Sequence, residues 1–161
     1  MPTIEYPSPI GPIIIKAEAG KILYLGFGKA GLHDTPDEVL AACVSQLDRY
    51  FQGDLFEFDL PLDMKIGGTS FRIKVWGGLT KIPYGETRSY KDIAREIGNE
   101  KASRAVGSAN HSNPISIIVP CHRVIGSGGK MVGYGGEIWR KEWLLEHEKK
   151  HAAMRGHELR L

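Results

Sequence analysis

The chain has 161 residues, 42% of them hydrophobic and 25% charged, which is enough apolar material for a buried core and too even a mixture for a disordered polyelectrolyte. No run reaches the roughly 20 apolar residues a membrane span needs, and residues 1–6 hold no basic stretch ahead of an apolar one, so a cytoplasmic protein is expected (nuclear in a eukaryote) with no membrane partner. The net charge of +2 conceals an asymmetry: residues 1–64 carry 4 basic and 10 acidic side chains, net −6, and residues 65–161 carry 17 and 9, net +8. Such a basic half is either a polyanion surface or a solvated face with an incidental bias.

In chain order, the prolines and glycine of Pro7-Ser8-Pro9-Ile10-Gly11-Pro12 mark a turn between short extended runs. Ile13-Ile14-Ile15 and Ile22-Leu23-Tyr24-Leu25 flank Ala19-Gly20, the pattern of a β-hairpin. Behind Pro36, the residues Val39, Leu40, Cys43, Leu47, Tyr50 and Phe51 recur at helical spacing, so a helix with one buried face runs to Gly53. Cys43 lies on that apolar stripe with no basic neighbour in sequence and reads as core. Phe56, Phe58 and Leu60 alternate with charges and predict one more strand. Between Pro61 and Thr69 the composition turns linker-like, which divides a small α/β lobe over 1–64, an antiparallel sheet plus a helix, from a mostly α-helical lobe over 65–161.

In the second lobe Phe71, Val75, Trp76 and Leu79 follow a helical spacing behind a Thr69 or Ser70 cap, and Ile82-Pro83-Tyr84-Gly85 breaks it. Thr87 or Ser89 caps a helix whose face is Tyr90, Ile93, Ala94 and Ile97, and Gly98 ends it. A second short helix follows, from Lys101 to about Asn110, built of small residues with one long cation at Arg104. The pair fits a helix-turn-helix, or equally an ordinary helical hairpin. Residues 115–119 predict a strand that stops at Pro120. A glycine-rich loop follows, through Gly126-Ser127-Gly128-Gly129 and Gly133-Tyr134-Gly135-Gly136, whose backbone can approach a flat ligand. A final helix over 138–148 buries Trp139, Trp143 and Leu144, and the charged tail from 149 leaves His151 and His157 in solvent.

The chemistry gathers at Pro120-Cys121-His122-Arg123-Val124. With only two distant cysteines in the chain a disulfide framework or a zinc site has no basis, and Cys121 reads as a free thiol. A thiol becomes a nucleophile as its thiolate, which an adjacent imidazole and a guanidinium favour. Adjacent residues of a strand point to opposite faces, so Cys121 and His122 share a site only where the backbone turns. Taken alone, the pair is also compatible with a buried thiol beside a satisfied histidine.

Residues 113–124 (Asn-Pro-Ile-Ser-Ile-Ile-Val-Pro-Cys-His-Arg-Val), then Gly133-Tyr134-Gly135-Gly136 and Lys141-Glu142-Trp143-Leu144-Leu145-Glu146-His147-Glu148, closely resemble the signature of the O6-alkylguanine-DNA alkyltransferases. The resemblance extends upstream through Ile82-Pro83-Tyr84-Gly85, Ser89-Tyr90 and Ala102-Ser103-Arg104-Ala105-Val106-Gly107. It implies a suicide repair protein, without cofactor, that moves a methyl or larger alkyl group from guanine O6, and possibly thymine O4, onto Cys121. It further implies that His122 draws the thiol proton through a water, that Glu148 holds the imidazole, that Asn113 ties the segment together and that Tyr90 donates to guanine N3. Arg104 would replace the flipped nucleotide in the stack, on a helix that enters the minor groove of double-stranded DNA through Ala102, Ser103, Ala105 and Gly107. Arg123 and Tyr134 join the binding surface on this reading. Main-chain groups of Cys121, Val124 and Gly135 would read the guanine edge, with Ser116 and Asn110 at the pocket rim. The family often has serine where this chain has Gly135, and the cysteines by which some members bind zinc are missing here. A monomer is expected.

Overall fold

The computed structural model describes residues 1–31, 33–65, 67–131, 134 and 137–160, with only the backbone over 157–160. The chain divides into two compact units, residues 1–67 with 114–116, and residues 68–113 with 117–161. Among the described residues no helix is long and apolar enough to cross a membrane.

In the first unit, β1 (Thr3–Ser8), β2 (Gly11–Glu18) and β3 (Lys21–Phe27) form an antiparallel sheet in the order β1-β2-β3. The alternation of the sequence sets the register: Ile4, Tyr6, Ile13, Ile15, Ala17, Ile22 and Leu25 are all buried. The hairpin between β2 and β3 closes through Ala19 and Gly20, both with positive φ (51° and 76°), as a two-residue turn between right-twisted strands requires. Helix α1 (Glu38–Gln52) starts where the Asp37 carboxylate accepts from Leu40 N–H and stops at Gly53 in the left-handed region, φ 87°. Its buried face includes Cys43, whose thiol burial pushes up to about 12, so this cysteine is inert core. The Tyr6 hydroxyl donates to Asp48 at 2.6 Å and ties the sheet to that helix.

The strand expected through Phe56, Phe58 and Leu60 does not form. Gln46 takes the place of a partner strand: its side chain donates to the Asp59 carbonyl at 2.9 Å and accepts from Asp59 N–H at 2.8 Å. Pairing is limited to one parallel bridge, Ile22 with Leu62. The strand expected over 115–119 is also absent. Ile115 makes a single parallel bridge to Leu25, where Leu25 N–H donates to the Pro114 carbonyl and Ser116 N–H to the Leu25 carbonyl. The chain then turns at Ile117, a β-branched residue held at φ 70°.

The second unit is helical, as the spacing predicts. Helix α2 (Ser70–Leu79) is capped by Thr69, and α3 (Tyr90–Glu96) by a reciprocal capping box between Ser89 and Asp92. Helix α4 (Ser103–His111) follows a turn in which Gly98 adopts φ 81°. Two-residue strands β4 (Arg88–Ser89) and β5 (Val124–Ile125) pair in parallel, Arg88 opposite Val124. The last helix, α5 (Ile138–Arg160), continues well past the expected end at 148, since nothing between 149 and 160 is a breaker other than Gly156. His151 is accordingly half-buried, not solvated: its Nδ1–H donates to the His147 carbonyl at 2.8 Å, one turn back. Trp139 departs from expectation the other way, 46% exposed, with its indole N–H on Glu137 at 2.7 Å.

Candidate active site

The site is built where the segment after Pro120 leaves extended geometry. Cys121–Arg123 is a single 3₁₀ turn, and the Cys121, His122 and Arg123 side chains are all buried. A strand would have sent the thiol and the imidazole to opposite faces, and the turn removes that obstacle. The turn is anchored from three sides. The Asn113 amide donates to the Val119 carbonyl at 2.8 Å, which closes the loop carrying the Ile117 strain. The Asn110 amide donates to the Cys121 carbonyl at 3.3 Å. The β4–β5 pairing sets Ser89, the cap from which α3 and Tyr90 follow, opposite Ile125.

Behind the turn stands α5. Its inward face carries Lys141, Leu144, His147 and Glu148, all buried, at the i, i+3, i+6, i+7 spacing of one helical stripe. Glu148 is fully engaged: Oε2 accepts from His122 Nε2 at 2.7 Å, and the carboxylate takes a two-pronged contact from Arg123, Nε to Oε1 at 2.7 Å and Nη2 to Oε2 at 3.0 Å. The Arg123 Nη1 donates to the Ile82 carbonyl at 2.7 Å, and the guanidinium lies 5.6 Å from the Tyr84 ring centroid. Gly85, at φ 81°, approaches α5 so closely that a Cβ there would stand 2.7 Å from that of Ala152, and its N–H points at Glu148 Oε1 at 3.5 Å.

The electrostatics follow from this enclosure. Burial alone would raise the Glu148 carboxyl, but His122 and Arg123 outweigh it and hold the group well below the usual carboxylate range, so it is ionised. Burial pushes the His122 imidazole below its ordinary value against the pull of Glu148, and Arg123 and Lys141 push the same way. Because Arg123 already neutralises Glu148, the imidazole stays neutral, with its proton on Nε2 facing the carboxylate. The other ring nitrogen, Nδ1, is buried with no hydrogen-bond partner among the described residues and keeps its lone pair. Lys141 donates to the Val124 carbonyl, and burial lowers its ammonium to about 8. Burial and the charge at Cys121 raise the Tyr90 hydroxyl, and a hydrogen bond with the Asn110 side chain opposes them.

A cysteine beside a neutral imidazole that is oriented by an ionised carboxylate is a nucleophile, base and orienting group in order. Residues 4–64 match the family model of the 6-O-methylguanine DNA methyltransferase ribonuclease-like domain, and residues 70–150 match that of the DNA-binding domain of the same proteins. The chain belongs to the 6-O-methylguanine DNA methyltransferase family. It is similar to the methylated-DNA–protein-cysteine methyltransferase of Mycobacterium tuberculosis H37Rv, 50% identical over 151 residues that cover 90% of each chain. That of Methanosarcina acetivorans is 48% identical, over 89% of this chain and 95% of its own. The crystal structure of Mycobacterium tuberculosis OGT in complex with DNA superposes with a TM-score of 0.85 at 49% identity, over 94% of each chain.

Within this family member the residues expected at the site divide into three groups. Cys121, His122, Glu148, Val124, Tyr90 and Asn113 sit on or around the 3₁₀ turn. On α4 and at the Ala102 that precedes it, Arg104 and Ala105 are exposed and Ala102, Ser103 and Gly107 half-buried, with Gly107 against the Tyr90 ring. Ser116 belongs to the first unit, Tyr134 is buried, and Gly135 lies outside the described residues. One expectation needs correction: Arg123 is only 7% exposed and spends its guanidinium inward, because a buried Glu148 requires a cation. Sequence reasoning missed Lys141, the Ile82 carbonyl and Gly85. A signal for Lys141 existed, since it stands one turn before Leu144 and two before Glu148 on the same helical face; the carbonyl and the glycine contact leave none.

Proposed function

We propose that this chain repairs alkylated DNA by moving an alkyl group from O6 of guanine, and in the same way O4 of thymine, irreversibly onto Cys121. The observation that carries this reading is the state of His122: Nε2 committed to Glu148 and Nδ1 left as an acceptor at the residue adjacent to the thiol. Nδ1 takes the thiol proton through a water, the sulfur attacks the alkyl carbon in line, the C–O6 bond breaks toward the base, and a thioether remains. Nothing in the chain reverses a thioether, so each molecule acts once. Glu148 and Arg123 are positioning residues on this reading, and Asn113 preserves the strained turn before the thiol. Tyr90 gives a proton to guanine N3 as negative charge develops on the ring.

An O6 substituent is inaccessible inside the stack, so the nucleotide must leave it, at about a few kcal/mol of lost pairing and stacking. Arg104 suits the vacated place: it projects from the exposed side of α4 and makes no ion pair among the described residues. Ala102, Ser103, Ala105 and Gly107 around it are small enough for α4 to approach a minor groove closely. Val124 and Tyr134 border the base in this picture. The division of labour is that residues 65–161 bind DNA and accept the alkyl group, with no chemistry assigned to 1–64. The protein acts as a monomer, in the cytoplasm, or in the nucleus of a eukaryote. Cys121→Ser tests the acceptor: this variant is expected to bind O6-methylguanine duplex and take up no labelled methyl, and label appearing on Cys43 would overturn the assignment.

A further inference from the structure

Asn110 is 1% exposed in the last turn of α4, and its amide is spent in two directions. One N–H donates to the Cys121 carbonyl. The side chain also meets the Tyr90 hydroxyl in a hydrogen bond, while the Tyr90 ring rests on the same helix one turn earlier, at Gly107. Oδ1, in contrast, is buried with no hydrogen-bond partner among the described residues. Had Tyr90 donated to the amide, Oδ1 would be satisfied, so the amide faces the phenol with its nitrogen: the N–H donates and the hydroxyl oxygen accepts. The hydroxyl proton is therefore not used on Asn110. Burial and the charge at Cys121 raise the Tyr90 hydroxyl overall, and the Asn110 contact alone pulls the other way, as an N–H on the oxygen does by favouring the phenolate. Helix α4 is itself held in place, its Ala109 carbonyl accepting from the buried Trp76 indole at 2.8 Å, which fixes where the amide stands.

We propose that Asn110 is a positioning residue for proton delivery to the departing base: one N–H grips the Tyr90 oxygen so that the hydroxyl presents its proton to guanine N3, and the other fixes the Cys121 main chain. The proposal rests on the alkyl-acceptor reading given above. In the step, the sulfur–carbon bond forms, the electron pair of the C–O6 bond passes to the base, and the Tyr90 proton moves to N3. The proton that the thiol gave to His122 balances the one Tyr90 gave up. While Tyr90 is a phenolate, the Asn110 N–H is its hydrogen-bond donor.

The test compares two duplex substrates, one with O6-methylguanine and one with O6-methyl-3-deazaguanine, which has C–H at position 3 and takes no proton there. Asn110→Leu keeps the volume and removes both donors. Its single-turnover transfer from O6-methylguanine is expected to be about tenfold slower than wild type, the weight of one hydrogen bond to a charged group. From the 3-deaza analogue the variant should lose several-fold less, since only the Cys121 contact is missed there. Asn110→Ser, which removes the amide without adding apolar bulk, should reproduce the pattern. Equal losses on both substrates, complete loss included, overturn the proposal, because a displaced Cys121 or a damaged fold gives that result. A wild-type protein that forms no Cys121 adduct with O6-methylguanine DNA would overturn the underlying reading of the site.

Discussion

At the scale of single residues, the site depends on keeping a histidine neutral beside a charged carboxylate. Coulomb attraction to Glu148 alone would favour imidazolium. Burial works against it, and the guanidinium of Arg123 already balances the carboxylate. The sign of the pH dependence follows. A base must be deprotonated, and the His122 value is depressed from 6.5, so transfer should hold at pH 6.5 and decline only in more acid solution. Single-turnover rates across pH about 5 to about 8 check this, and an acid limb with its midpoint above 6.5 would contradict it. The same depression means that the stability contributed by neutral His122 is present above 6.5 and is lost as pH falls below it. The Glu148 contribution follows the same sign from a lower starting point, complete above 4.5 and lost in stronger acid. Cys43 illustrates how environment separates two thiols: enclosed by the apolar face of α1, with burial the sole cause of its raised value, it has none of these partners.

At the scale of elements, the Ile82–Gly85 turn, the Cys121–Arg123 turn and α5 converge on one carboxylate. Gly85→Ala tests that convergence. Its φ of 81° is unfavourable for alanine and its Cβ would meet Ala152, so the cost should be about 1–3 kcal/mol in denaturant unfolding, together with slower transfer through a displaced Glu148. Gly98→Ala, at the same φ but with open space around it, should cost no more than about 1 kcal/mol and leave transfer unchanged. Equal effects of the two changes would contradict the account. Periodicity made α1, α2, α3 and the sheet legible, because each has one apolar face and recognisable caps at Asp37, Thr69 and Ser89. It failed over 56–60 and 115–119 for a shared reason. Both runs have the composition of strands, but a strand needs a partner edge, and Gln46 in one case and the turn at Ile117 in the other remove it. The thiol, the imidazole and the distant carboxylate were legible through the motif. The inward use of Arg123 was not, since charge alone does not say which way a guanidinium points.

At the scale of the whole molecule, the charge is distributed as the proposed function needs, with +8 on residues 65–161 against −6 on residues 1–64. If the basic part meets DNA phosphates, binding to duplex should weaken steeply with salt, with a log–log slope of about −0.9 for each phosphate neutralised. A flat response would assign the asymmetry to a solvated face. The two units also differ in chemistry: the buried ionised groups described around Glu148 all belong to the second, and the buried thiol of the first is chemically silent. The central claim, that Cys121 is a one-use acceptor, is tested most directly by intact-mass measurement with peptide mapping after incubation with excess O6-methylguanine duplex. The account predicts one methyl per chain, on Cys121, and no further repair once every chain carries it. Continued turnover by unmodified protein, or a methyl on any other residue, would contradict it.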